Sequence, residues 1–91
     1  MKSNNIEEVL NFANNLVAEK KFEIGFDYLI EHAYLFNNHL EYLKLIGLCC
    51  INLQKNEQAL EAFEHAVKIS GNDATSWFYL GTIYDSKSMY Q

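Results

Sequence analysis

Four residues recur at a fixed interval and frame the whole chain. Leu43, Ile46, Gly47 and Cys50 return 34 positions later as Trp77, Leu80, Gly81 and Tyr84. Each set is spaced i, i+3, i+4, i+7, which places its members on one face of a helix. Between the sets lie Ala59, Phe63 and Ala66, four and three residues apart, as one face of a second helix would be. One helix-turn-helix unit followed by the first helix of the next accounts for the pattern. A single hairpin has more apolar surface than its two helices can bury, so such units must stack.

Composition agrees with an all-helical chain. With 91 residues it is the size of one small domain, and 49% hydrophobic content suffices for a packed core. There are no prolines to break helices and only four glycines, which argues against a loop-rich fold. Charge narrows the partners. Twelve Asp and Glu face seven basic residues, all lysine. Without arginine the chain lacks the planar fork that grips phosphates and guanine edges. Only Lys20 and Lys21 are adjacent, so nucleic acid and anionic membrane surfaces are not expected partners. The polar start from Met1 to Glu8 has no apolar signal core, and no apolar run approaches the ~20 residues of a membrane span. A soluble, cytoplasmic protein is expected.

Taken in order, Asn5 and Glu8 have the spacing of an N-cap and its reciprocal partner, opening a helix over about Ile6 to Glu19. Lys20-Lys21 suit its C-terminal dipole. Phe22, Phe26, Leu29, Ile30, Ala33 and Phe36 form the stripe of helix two. Asn37-Asn38 closes the hairpin, and Asn38 with Glu41 predicts the cap of helix three, His39 to Leu53. Helix four starts near Asn56 and buries Ala59, Leu60, Phe63, Ala66, Val67 and Ile69. Gly71 is expected to stop it in the left-handed conformation, with Asp73 capping a fifth helix from Ala74 to Ser86 or beyond. Met89-Tyr90-Gln91 is expected to fray.

On the 34-residue period Ala13, Gly47 and Gly81 fall in register, as do Leu16, Cys50 and Tyr84, Gly25 and Ala59, and Leu29 and Phe63. This pattern resembles the tetratricopeptide repeat family. Trp77, Leu80, Gly81 and Tyr84 match the family's first-helix signature, and Ala59, Phe63 and Ala66 its second. Unit one departs from it, with Val9 and Phe12 in the large positions and His32 where alanine is usual; Gly71 stands where proline is usual. The resemblance implies an all-α, right-handed superhelical array of antiparallel helix hairpins with five helices. Repeat 1 would span about 6–39, repeat 2 about 40–73 and a half repeat 74–91. Small residues at Ala13, Gly25, Gly47, Ala59 and Gly81 would let helices approach, with Phe63, Trp77 and Tyr84 filling the gaps.

No catalytic or metal constellation emerges. His32, His39 and His65 lie in different elements, His32 read as core or groove and the others as surface. Cys49 and Cys50 are helical neighbours whose side chains diverge by about 100° and do not bridge easily, so both read as reduced packing residues. No enzymatic activity, cofactor or metal is expected.

The resemblance assigns a concave groove to the first helices. Its positions fall on Glu7, Leu10, Asn14, Val17 and Ala18, then Glu41, Lys44, Leu48, Ile51 and Asn52, then Thr75, Phe78, Thr82, Asp85 and Ser86. Some members hold a terminal carboxylate with a clamp of lysine, asparagine and arginine. Only Asn14 matches; Leu10, Leu45, Thr75 and Tyr79 occupy the rest, so such a clamp is not expected. The floor of Leu10, Val17, Leu48, Ile51 and Phe78 suits an extended peptide or amphipathic helix with aliphatic anchors. The leading expectation is therefore a non-enzymatic adaptor or small chaperone. Its size, acidity and groove also look like chaperones of type III secretion substrates. The alternative is a self-assembling scaffold, a homo-oligomer formed through Phe78, Tyr79, Ile83 and Tyr84 of helix five.

Overall fold

Two turns 34 residues apart share one backbone. A computed structural model of the chain describes residues 5–88. In it Lys20 and Gln54 take φ 62° and 61°. The residues that follow, Lys21 and Lys55, take φ/ψ of −91°/65° and −92°/67°. The same bonds close both turns: Lys20 N–H donates to the Val17 carbonyl and Lys21 N–H to Leu16, as Gln54 does to Ile51 and Lys55 to Cys50. A left-handed residue just past a helix end lets these amides take up carbonyls that the helix leaves unpaired.

The turns join α1 (Ile6–Ala18) to α2 (Phe22–Glu31) and α3 (Leu40–Asn52) to α4 (Asn56–Ile69), and α5 (Ala74–Ser88) follows. Connections this short require each pair to run antiparallel. All five expected helices are present, and no strand occurs among the described residues. The fraying expected at Met89-Tyr90-Gln91 lies outside the described residues. Helix two differs from its expected stripe. His32 caps it, its N–H shared between the Tyr28 and Leu29 carbonyls, and a 3-10 turn over Ala33–Leu35 carries the chain away. Ile30, on a face of α2 other than that of Leu29, and Ala33, in the 3-10 turn, are exposed.

The helix starts fall at Asn5, His39 and Asp73, again 34 apart. Asn5 Oδ1 accepts from the amides of Glu7 and Glu8 at 2.9 and 3.2 Å. Asp73 Oδ2 accepts from the Ser76 amide at 3.0 Å and its hydroxyl at 2.6 Å. The cap expected at Asn38 is not formed. Asn38 adopts φ 57° to turn the chain, and His39 becomes the N-cap without a side-chain cap bond. Nor is Gly71 left-handed: α4 ends because Ser70 turns extended, at φ −135° and ψ 96°.

The helices pack with α3 central, against α1, α2 and α4, while α4 also carries α5. Ala13, Leu29, Tyr42, Leu45 and Cys49 form one core cluster; Cys50, Ala59, Phe63, Leu80 and Ile83 form a second. Phe26 and Ile46 touch both. Phe63 is fully buried, worth roughly 1.5–3 kcal/mol in water-excluded area. It fits because position 47 is glycine, where a Cβ would lie 2.6 Å from its ring. Gly25 likewise lets α2 approach, its absent Cβ falling 3.3 Å from Cys49 Sγ. Tyr42 Oη donates to the Leu29 carbonyl at 2.8 Å, tying α3 to α2.

Four packing expectations are corrected. Ile69 is exposed rather than buried, since it sits at the end of α4 where the chain departs. Trp77 and Tyr84 do not fill core gaps: they are 52% and 47% exposed. Gly81 is not a close-packing point, because a Cβ there would meet nothing within 4 Å. His39 is half-buried rather than superficial, its ring edge-on to Phe36.

Candidate functional site

The expected groove residues divide by how much the core claims of each. Leu10 and Val17 of α1 are half-buried against the first cluster, and Leu48 and Ile51 of α3 against the second. Their outer surfaces remain available while their inner ones hold the helices together. Phe78 is different. It is 67% exposed, touching Tyr79 edge-on with ring centroids 5.1 Å apart.

The polar members are partly engaged. Lys44 Nζ pairs with Asp73 Oδ1 at 3.0 Å, both side chains mostly shielded, so this cation anchors the start of α5 to α3. Asn52 Nδ2 donates to the Leu48 carbonyl, and Thr82 Oγ1 to the Phe78 carbonyl, each one turn back on its own helix. Asn14 and Asp85 are exposed. Between α3 and α5, Ile51, Thr82, Ile83 and Ser86 line an open cleft of about 380 Å³. The structure thus brings Ile51 and Thr82 together and sets Phe78 one turn before Thr82 on the same helix.

The residues expected to mediate self-association separate. Ile83 is 2% exposed within the second cluster, and Tyr79 stacks on Phe63 at 5.2 Å, so both belong to the α4–α5 contact. Phe78 and Tyr84 stay outside, joined by Trp77. The Trp77 indole lies along the chain and donates from Nε1 to the Gly71 carbonyl at 2.7 Å. Tyr84 Oη donates to Glu64 Oε2 at 2.9 Å, and that carboxylate raises the phenol above its ordinary value.

A second cleft, of about 270 Å³, opens where α2 and α4 flank α3, between Phe26 and Ile30 on one side and Glu61 and His65 on the other. Sequence reasoning assigned nothing there. The one available signal was Ile30, an apolar residue whose helical face is not that of Leu29.

Burial pushes the Cys49 thiol up to about 11 and raises Cys50 as well, against the pull of Lys55. Such thiols hold their protons at neutral pH and are poor nucleophiles. His32 is buried, its Nδ1 donating to the Tyr28 carbonyl at 2.9 Å and its ring against Tyr28. His65 Nε2 meets Asn38 Oδ1 at 2.6 Å. Among the described residues no three His, Cys, Asp or Glu side chains are grouped to hold a metal ion. No helix among them is long and apolar enough to cross a membrane. The chain matches no known protein-family profile, no curated protein and no solved structure.

Proposed function

We propose that this chain is a non-enzymatic protein-interaction module of tetratricopeptide type, a right-handed array of helix hairpins that holds an amphipathic helix or extended peptide against its first helices. The observation that carries the reading is Phe78, a large apolar side chain left in solvent beside the cleft lined by Ile51 and Thr82. An exposed aromatic one turn from a recess that Ile51 and Ile83 share with Gln54, Asn56, Thr82 and Ser86 is the form of an anchor point for a partner side chain. The repeated turns at Lys20 and Gln54 support the repeat assignment, because they return the backbone at the same interval as the side chains. Leu10, Val17 and Leu48 extend the apolar strip, and Asn14, Asn52 and Asp85 supply polar groups at its rim. The acidic, arginine-free surface favours a protein partner over nucleic acid. A cytoplasmic location fits this role.

Affinity capture from native lysate, with mass spectrometric identification of what is retained, supplies the ligand for the test. Phe78→Glu should then lose the captured partner while circular dichroism shows unchanged helicity. Undiminished capture by that variant would overturn the groove assignment.

A further inference from the structure

One face is covered in the first two units and open in the third. Val9, Ala13 and Leu16 of α1 are buried. Their counterparts in α3 are Leu43, half-buried, and Gly47 and Cys50, which are buried where α4 packs. In α5 the same positions are Trp77, Gly81 and Tyr84, and all three are exposed. Leu29 of α2 shares a core cluster with Ala13, and Phe63 of α4 stands over Gly47. Nothing among the described residues stands over Gly81. The space over it is open, flanked along α5 by an indole and a phenol.

We propose that this outer face of α5 docks an amphipathic helix from another protein, antiparallel to α5 as α4 is to α3, with a large apolar side chain over Gly81 and a lysine or arginine facing Glu64.

The chain's own helices define the apolar part of that ligand. The two that cover this face elsewhere carry a small residue, then a large one four positions on: Gly25 and Leu29 in α2, Ala59 and Phe63 in α4. The small residue permits close approach and the large one fills the gap opposite glycine or alanine. Without an occupant, Trp77 and Tyr84 leave apolar ring surface in water next to the existing α4–α5 interface.

Charge sets the remaining requirement. Glu64 is on α4, bordering the face, with its carboxylate held by Tyr84 Oη. Its counterpart one repeat earlier is Ile30, and Ile30 faces Glu61 and His65 of the next second helix across the α2–α4 cleft. A docked helix would therefore present its residue equivalent to Glu61 toward Glu64. A carboxylate there would be repelled and a cation attracted, more strongly as the helix excludes water. Both second helices of a further copy carry an acid at that position, Asp27 and Glu61, which disfavours a second copy as the occupant.

The test uses helix-stapled peptides of the α4 sequence, 56–69, added to the full chain while the emission of Trp77, its only tryptophan, is recorded. The Glu61→Lys peptide should bind saturably and shift emission to the blue. The unaltered peptide should bind at least about tenfold more weakly, a difference of about 1.4 kcal/mol. Binding should vanish when the peptide carries Phe63→Ala or the protein carries Gly81→Leu, a change that free space around position 81 accommodates. Gly81→Ala, the milder variant, should weaken it. Phe78→Glu should leave it intact, so that this site and the groove stand or fall separately. Absence of a saturable signal up to about 1 mM peptide would overturn the proposal. So would binding indifferent to Gly81→Leu, or a peptide-free dimer in sedimentation that Gly81→Leu dissociates, which would give the face to a second copy.

Discussion

Asp73 combines two roles that a single carboxylate can serve only when ionised. One oxygen caps α5 through Ser76 and the other pairs with Lys44. The Ser76 hydroxyl, and after it Lys44, hold its carboxyl below the ordinary range. A depressed folded-state value contributes stability above the unfolded-state pKa of about 3.9, and the contribution is lost as pH falls through the folded value. Asp73→Asn keeps a capping oxygen but removes the charge. Its deficit in thermal midpoint against the wild type should therefore be full above about pH 5 and close as the pH falls through the depressed folded-state value. A deficit that does not change with pH would mean that the ion pair contributes nothing. The same position one repeat earlier is His39, which makes no cap bond and leaves Nδ1 buried without a partner. His39→Asp should supply the missing acceptor for α3 and stabilise by about 1 kcal/mol, or roughly 4–8 °C in a domain of this size. An unchanged or lowered midpoint would show that the edge contact with Phe36 matters more.

At the level of elements, equivalent glycines give opposite predictions. Glycine in a helix interior costs about 1 kcal/mol relative to alanine when no neighbour objects. Gly81 has no neighbour within 4 Å, so Gly81→Ala should stabilise the chain by roughly that amount. Gly47→Ala would place a methyl 2.6 Å from the Phe63 ring, and the buried ring has nowhere to move without disturbing Ala59 and Cys50. It should destabilise by about 1–3 kcal/mol. Denaturant midpoints of the two variants check both signs, and matching signs would refute the assignment of Phe63 to a socket that α5 lacks. The helices and their inward faces were legible beforehand because period 3.6 and period 34 coincide in residues such as Ala13, Phe63 and Leu80. Their junctions were less so. Glycine advertised a left-handed stop at Gly71, while the chain places Lys20, Asn38 and Gln54 in that conformation. At Lys20 and Gln54 the closing hydrogen bonds are main-chain, and so leave no side-chain mark.

At the scale of the whole molecule, the proposed groove was legible only as a row of equivalent positions. Trp77 and Tyr84 share the 34-residue register with Leu43 and Cys50 and so read as core, although no helix among the described residues covers them. Leu48 and Phe78, alike as groove residues in the pattern, differ because the second core cluster claims part of Leu48. The same geometry gives the stack a gradient of stability. The helix α3 packs against α1, α2 and α4, whereas α5 rests mainly on α4. Amide exchange in α3 should therefore require the largest opening free energy, with α5 exchanging through a local opening at least about 1 kcal/mol lower. Asp73→Ala, which removes the cap and the tie to Lys44, should speed exchange in α5 and leave α1 unchanged. Occupation of the Gly81 face by the Glu61→Lys peptide should slow exchange there, since a ligand that binds only docked α5 opposes its opening. Equal protection in all five helices, with Asp73→Ala lowering it uniformly, would instead identify the molecule as one cooperative unit in which the open face of α5 has no thermodynamic consequence.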